Sequence, residues 1–155
     1  MSDADTADRI TCKYLTYRHG SGFIRLPLVH VSLKAKDEIQ TDALVDSDAT
    51  ATFVPYEIAE MIGLLPEGER GELKKGQATG ASAAFPTYLI KLSILKVIKA
   101  AHPFDILRDI DVHVPQSEHV HLPYVVLGRN YLFKHFDVTF HENRHKMTFQ
   151  RIKGA

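Results

Sequence analysis

Short runs of alternating apolar and polar residues, separated by glycine, proline and charged clusters, run through most of the chain. That period of two predicts half-buried β-strands. The stretch "ITCKYLTYRHGSGFIRLPLVHVSL" carries β-branched and aromatic residues in bursts interrupted by "HGSG", which predicts two opening strands joined by a flexible turn. Beyond it, Phe23, Arg25, Pro27, Val29 and Val31 alternate with Ile24, Leu26, Leu28, His30 and Ser32. Pro27 cannot donate to a ladder, so this strand is expected at a sheet edge.

"TDALVD" reads as a short buried strand ending at Asp46. From Pro55 the period changes, because Ile58, Met61 and Ile62 fall at helical spacing and Gly63 suits a left-handed terminating position. "LPEGERGELKKG" is then a polar loop. "QATGASAAFPTYLIKLSILKVI" predicts a long hairpin turning at Thr79, Gly80 and Ala81, followed by the strand "DILRDIDVHVP". "YVVLGRNYLFKHF" passes from an apolar strand through Gly128 to a short helix, and "DVTFHENRHKMTFQRI" is a hairpin turning near Glu142 and Asn143. The expected fold is mostly β with one or two short helices.

Composition adds little to this picture. With 155 residues, 45% of them apolar and 25% charged, the chain fits one ordinary globular domain over residues 10–155. Residues 1–9 open with "MSDADTAD", which has too little apolar surface to offset its ordering entropy and is expected to be a flexible tail. The 19 basic and 19 acidic residues cancel, so no bulk field draws the chain to nucleic acid. No apolar run is long enough to span a bilayer, and the acidic opening is the reverse of a secretory leader, so a cytoplasmic location is the expectation. Cys12 stands alone and is read as a structural thiol.

Chemistry is concentrated in "LVDSDAT". A carboxylate at a strand end, followed by small and hydroxyl residues, can be held by neighbouring amides while its oxygens face a cleft. The plain alternative is a turn or cap aspartate. The order of elements bears on the choice: a strand into "LVDSDAT", the helix "PYEIAEMIGL", a glycine-bearing hairpin, then "VVLGRNYL" and the closing hairpin. In that order the chain resembles the retropepsin-like aspartic protease family over roughly residues 23–152.

The resemblance implies a closed or partly open β-barrel of the acid protease type with a flap hairpin. It matches Asp46 to the family's catalytic aspartate, Ser47 to the hydroxyl that braces the motif loops, and Asp48, Ala49 and Thr50 to the rest of the supporting loop. Thr79, Gly80 and Ala81 fall at the flap tip. Val126, Leu127 and Gly128 match the segment beneath the catalytic loop, with Arg129 and Asn130 opening the helix. It also implies a homodimer, because the chemistry needs two carboxylates sharing one proton and this chain carries one such motif. The implied activity is endopeptidase hydrolysis of a peptide or protein substrate by a dyad of Asp46 residues, with no cofactor and no metal.

Position 48 departs from the pattern, which has glycine where this chain has Asp48. Charges ~6 Å apart at an effective dielectric of ~20 repel by about 3 kcal/mol, equivalent to about two pKa units. Three outcomes are open: protonation of the crowded cluster with activity moved toward acid pH, an outward turn of Asp48 that leaves a working dyad, or a distorted loop. The last gives the alternative function, a catalytically impaired dimer that binds peptides or acts as an interaction module. Four carboxylate oxygens would suit a hard cation, but no loop of oxygen ligands accompanies them, so none is assigned.

His113, His119 and His121 are read as exposed loop histidines, because no Cys, Asp or Glu completes a ligand set with them. His141 and His145 are read as a solvated hairpin tip. The alternating residues around Tyr88 are read as core, with Tyr88 a possible groove wall. Residues 100–123 exceed what the family pattern needs and are expected to form a loop and a strand.

Overall fold

A computed structural model describes residues 5–65, 73–80, 83–120 and 122–154. The elements, in chain order, are β1 (Arg9–Lys13), β2 (Leu15–His19), β3 (Gly22–Leu26), β4 (Leu28–Lys34), β5 (Glu38–Val45), α1 (Tyr56–Met61), β6 (Lys74–Gly80), β7 (Ala83–Lys99), β8 (His102–Pro115), β9 (Val125–Leu127), α2 (Leu132–His135), β10 (Phe136–His141) and β11 (Lys146–Arg151). The fold is mostly β with two short helices, as the alternation predicts.

Among the described residues three sheets form: β1-β11-β10, the β2-β3 hairpin, and a six-stranded sheet in the order β6-β7-β4-β5-β9 with β8 on β7. Among the described residues the regular ladders do not close into a barrel. Between β8 and β9 lies segment 52–54, whose β-pairing with each is an isolated bridge, Phe53 to His113 and Phe53 to Val126. No described helix is long and apolar enough to cross a membrane.

Local chemistry explains several elements. Gly20, at a φ of 60°, takes the first position of the two-residue turn that pairs His19 with Gly22. After α1, Gly63 sits at a φ of 78°; its N–H donates to the Glu60 carbonyl and that of Leu64 to the Ala59 carbonyl, which satisfies two of the helix's orphan acceptors. The predicted apolar stripe of this helix needs correction. Ala59 and Ile62 are fully buried, but Met61 is 61% exposed, because a six-residue helix turns only a narrow face inward and Met61 lies outside it.

The edge assignment for the run around Pro27 holds for β3, which pairs with β2 in a two-stranded sheet, and is corrected for β4. Pro27 separates β3 from β4, and β4 is central, antiparallel to β5 on one side and β7 on the other. Lacking an N–H, Pro27 falls between ladders rather than within one, and its carbonyl accepts the Val45 N–H at 2.9 Å. A strand covered on both faces need not alternate, and Leu28, Val29, Val31, Ser32 and Leu33 are all buried. The buried Ser32 hydroxyl donates to Glu38 Oε1 at 2.6 Å.

The main core gathers Val31, Leu33, Ala59, Leu95, Val112 and Phe149 from both larger sheets and α1. Residues 100–115 belong largely to β8, which pairs with β7 from Thr87↔Pro115 to Lys99↔His102. His113 is therefore not an exposed loop residue. It lies in β8, half-buried, with Nδ1 2.8 Å from Thr87 Oγ1 and its ring 5.6 Å from that of Phe53. His119 is exposed in a loop, whereas His121 lies outside the described residues. His141 bonds through Nε2 to Thr148 Oγ1, and His145 through Nδ1 to Arg25.

Candidate functional site

The site begins with parallel pairing of β5 and β9, Ala43↔Val125 through Val45↔Leu127, which brings both strand ends to the same edge. Asp46 follows directly, its N–H donating to the Leu127 carbonyl at 3.0 Å. The chain then turns: the Ala49 N–H reaches the Asp46 carbonyl at 3.3 Å, and the Asp48 N–H donates to Asp46 Oδ1 at 2.9 Å. The half-buried carboxylate is thereby fixed by an amide two residues on, the same bond by which an aspartate nucleates a turn. Asp48 spoils none of this, since the donor is its main chain and its side chain is exposed.

The segment after Asp46 straps across β9. Phe53 and Val126 exchange N–H to carbonyl bonds at 2.9 and 3.0 Å, Arg129 N–H donates to the Ala49 carbonyl at 2.8 Å, and Asn130 N–H to that of Thr50 at 3.0 Å. Gly128 is the pivot of this contact. A Cβ there would stand 2.7 Å from the Ala49 carbonyl oxygen and closer still to that of Ala51, so a residue with a side chain forces the strap away.

Ala49, Ala51 and Phe53 form a small buried cluster, packed by Phe85, Leu122 and Val126. Phe85, on the first part of β7, lies 6.1 Å from Phe53 between ring centroids, so the β6-β7 hairpin is anchored on the strap that carries Asp46. Compared with known proteins, the chain matches no family model and no curated protein.

The assembled residues are thus Asp46, half-buried; Ala49, Leu127 and Gly128, buried; Val126, half-buried; and Ser47, Asp48, Thr50, Arg129 and Asn130, exposed. Thr79 and Gly80 end β6, paired in register with Ala84 and Ala83 of β7. Ala81 lies outside the described residues. Tyr88 is half-buried against the main core.

Two tyrosines join the site without having been singled out in the sequence. Tyr17 of β2 and Tyr124, just before β9, meet edge to face at 5.8 Å. Burial pushes the Tyr124 phenol above its ordinary pKa, and the neighbouring Tyr17 and Asp46 charges push the same way. Tyr124 therefore lies within electrostatic reach of Asp46. A Tyr in an alternating strand and another before "VVLG" was the available signal, but their meeting depends on how distant strands pair.

Proposed function

We propose that the protein is a retropepsin-like aspartic endopeptidase that works as a homodimer, with Asp46 of two copies forming the catalytic dyad. The observation that carries this reading is the set of supports at one strand end: a half-buried Asp46 carboxylate, the Asp48 amide at 2.9 Å, and a strap seated on Gly128. A turn aspartate needs only the first bond. The glycine-seated strap, continuous with "LGRN", is what a loop held for catalysis requires.

In the dyad one carboxylate is ionised and the other protonated. The ionised group takes a proton from water as its oxygen attacks the peptide carbonyl, and the second gives its proton to the carbonyl oxygen. Collapse of the tetrahedral intermediate breaks the C–N bond; the proton taken from water leaves with the amine, and one hydroxyl of the intermediate returns its proton to the second carboxylate. An extended peptide would lie between the β6-β7 hairpin and the Asp46 loop, held by strand-like hydrogen bonds. A cytoplasmic setting is part of this reading, in keeping with the free thiol of Cys12.

Two measurements test it: the solution size of the chain, and cleavage of an unbiased peptide library by the protein and by Asp46→Asn. A dimer whose cleavage is lost in the variant supports the reading; a strict monomer, or turnover retained by the variant, removes Asp46 from any symmetric mechanism. The second reading, a peptide-binding module without catalysis, draws on the additional carboxylate of Asp48 two residues from Asp46. It is favoured if only Asp48→Gly cuts.

A further inference from the structure

A second recess shares Ala51 and Asn130 with the strap region but is otherwise built from different side chains. A cleft of about 360 Å³ opens among β7, β8, the start of α2 and the strap, within the range of small-molecule sites and without Asp46 in its lining. Its apolar surface comes from Leu89 and Ala51. Its polar groups are Asp111, His113, Asn130, Tyr131 and Lys134.

The charges in this lining are unequal in their partners. Asp111 is already engaged, with Oδ1 2.9 Å from Lys91 Nζ. Its backbone N–H donates to the Tyr131 hydroxyl at 3.0 Å. His113 holds Thr87 Oγ1 through Nδ1, and burial lowers its pKa, so near neutral pH the ring supplies no second cation. Lys134 is exposed and forms no ion pair among the described residues. The uncompensated charge of the cleft is therefore a single ammonium, beside the exposed side chain of Asn130.

Tyr131 adds a fixed wall. It occupies a φ of 70° and ψ of −67°, a rare conformation for a residue with a side chain, and its hydroxyl is tied to β8. The cleft thus combines a firm apolar floor with one cation and one amide at its rim. We infer that it binds a small carboxylate-bearing molecule with a compact apolar body, the carboxylate on Lys134 and Asn130 and the body against Leu89 and Ala51. Neither dimerisation nor peptide cleavage enters this inference.

The test is a titration of the full chain with benzoate, and with benzamide as its uncharged counterpart, followed through backbone amide resonances. Benzoate should shift Leu89, Asn130 and Tyr131 saturably, and benzamide should bind at least about tenfold more weakly, the scale of one lost charge-assisted contact. Lys134→Met should weaken benzoate by about the same factor, and Lys134→Arg should retain it. Non-saturating shifts, equal binding of the two probes, shifts centred on Asp46, or an unaltered Lys134→Met would each overturn the inference. Lys134 is exposed, so neither variant threatens the fold.

Discussion

The backbone N–H of Asp48 donates to Oδ1 of Asp46 at 2.9 Å, while the Asp48 side chain stands exposed. Because the donor is main chain, Asp48→Gly should preserve the bond and cost no more than about 1 kcal/mol, through the freer unfolded chain. Asp46→Asn keeps an acceptor oxygen at that position, whereas Asp46→Ala does not. Denaturant midpoints should therefore place Asp46→Ala below Asp46→Asn by about 1 kcal/mol, the net worth of one such bond. Equal stability would mean that the amide is satisfied by water instead.

Gly128 carries the more severe prediction. In Gly128→Ala the new methyl meets the carbonyl oxygens of Ala49 and Ala51, and backbone cannot rotate aside as a flexible side chain does. The variant should lose about 2–4 kcal/mol, from the upper half of ordinary overpacking costs to somewhat beyond them. Amide exchange should rise first at Phe53, Arg129 and Asn130, whose N–H groups fasten the strap. A change under about 0.5 kcal/mol, the scale of a neutral surface substitution, would show that the strap yields easily.

The turn between β7 and β8 holds Ala100 at a φ of 52° and Ala101 at 65°, with Lys99 paired to His102 across it. Two positive φ values in a two-residue hairpin loop call for Asn-Gly, and alanine bears a steric cost of about 1 kcal/mol or more at each such position. Replacing Ala101 by glycine should stabilise the chain by about 1 kcal/mol net, raising Tm by about 2–4 °C for a domain of this size. Thermal unfolding of the single variant, and of Ala100→Asn with Ala101→Gly, checks both positions.

Much of the secondary structure was legible because it rests on local chemistry. Gly20 and Gly63 mark a turn and a helix end that only positive φ allows, and the alternation in "YLIKLSILKVI" reports a strand wherever that strand sits. What was not legible depends on partners remote in sequence. Pro27 suggested an edge, yet β4 became central because β5 and β7 both pair with it beyond that residue. His113 looked like a loop histidine because nothing local reveals that Thr87 and Phe53 arrive beside it. For the same reason the sequence could place Asp46 at a strand end but could not show that Tyr124, paired with Tyr17, comes within electrostatic reach of it.

His113 gives a pH dependence whose sign follows from its surroundings. Burial lowers its pKa below the ordinary 6.5, while the Asp111 charge opposes the shift without reversing it. As pH falls through 6.5 the unfolded chain takes up a proton that the folded ring resists, so the unfolded state binds more protons and folding loses stability. The contribution is fully present above that pH and declines as acid drives the ring toward its folded-state pKa. A non-titrating His113→Gln isolates the effect from the other histidines. The difference in unfolding free energy between the protein and this variant should shrink steadily on going from pH about 7.5 to about 5, and in the protein the His113 ring proton resonances should titrate below the ordinary histidine value of 6.5. A difference that stays constant, or grows toward acid, would mean that the buried ring is stabilised as the cation, and the neutral bond to Thr87 would have to be reassigned.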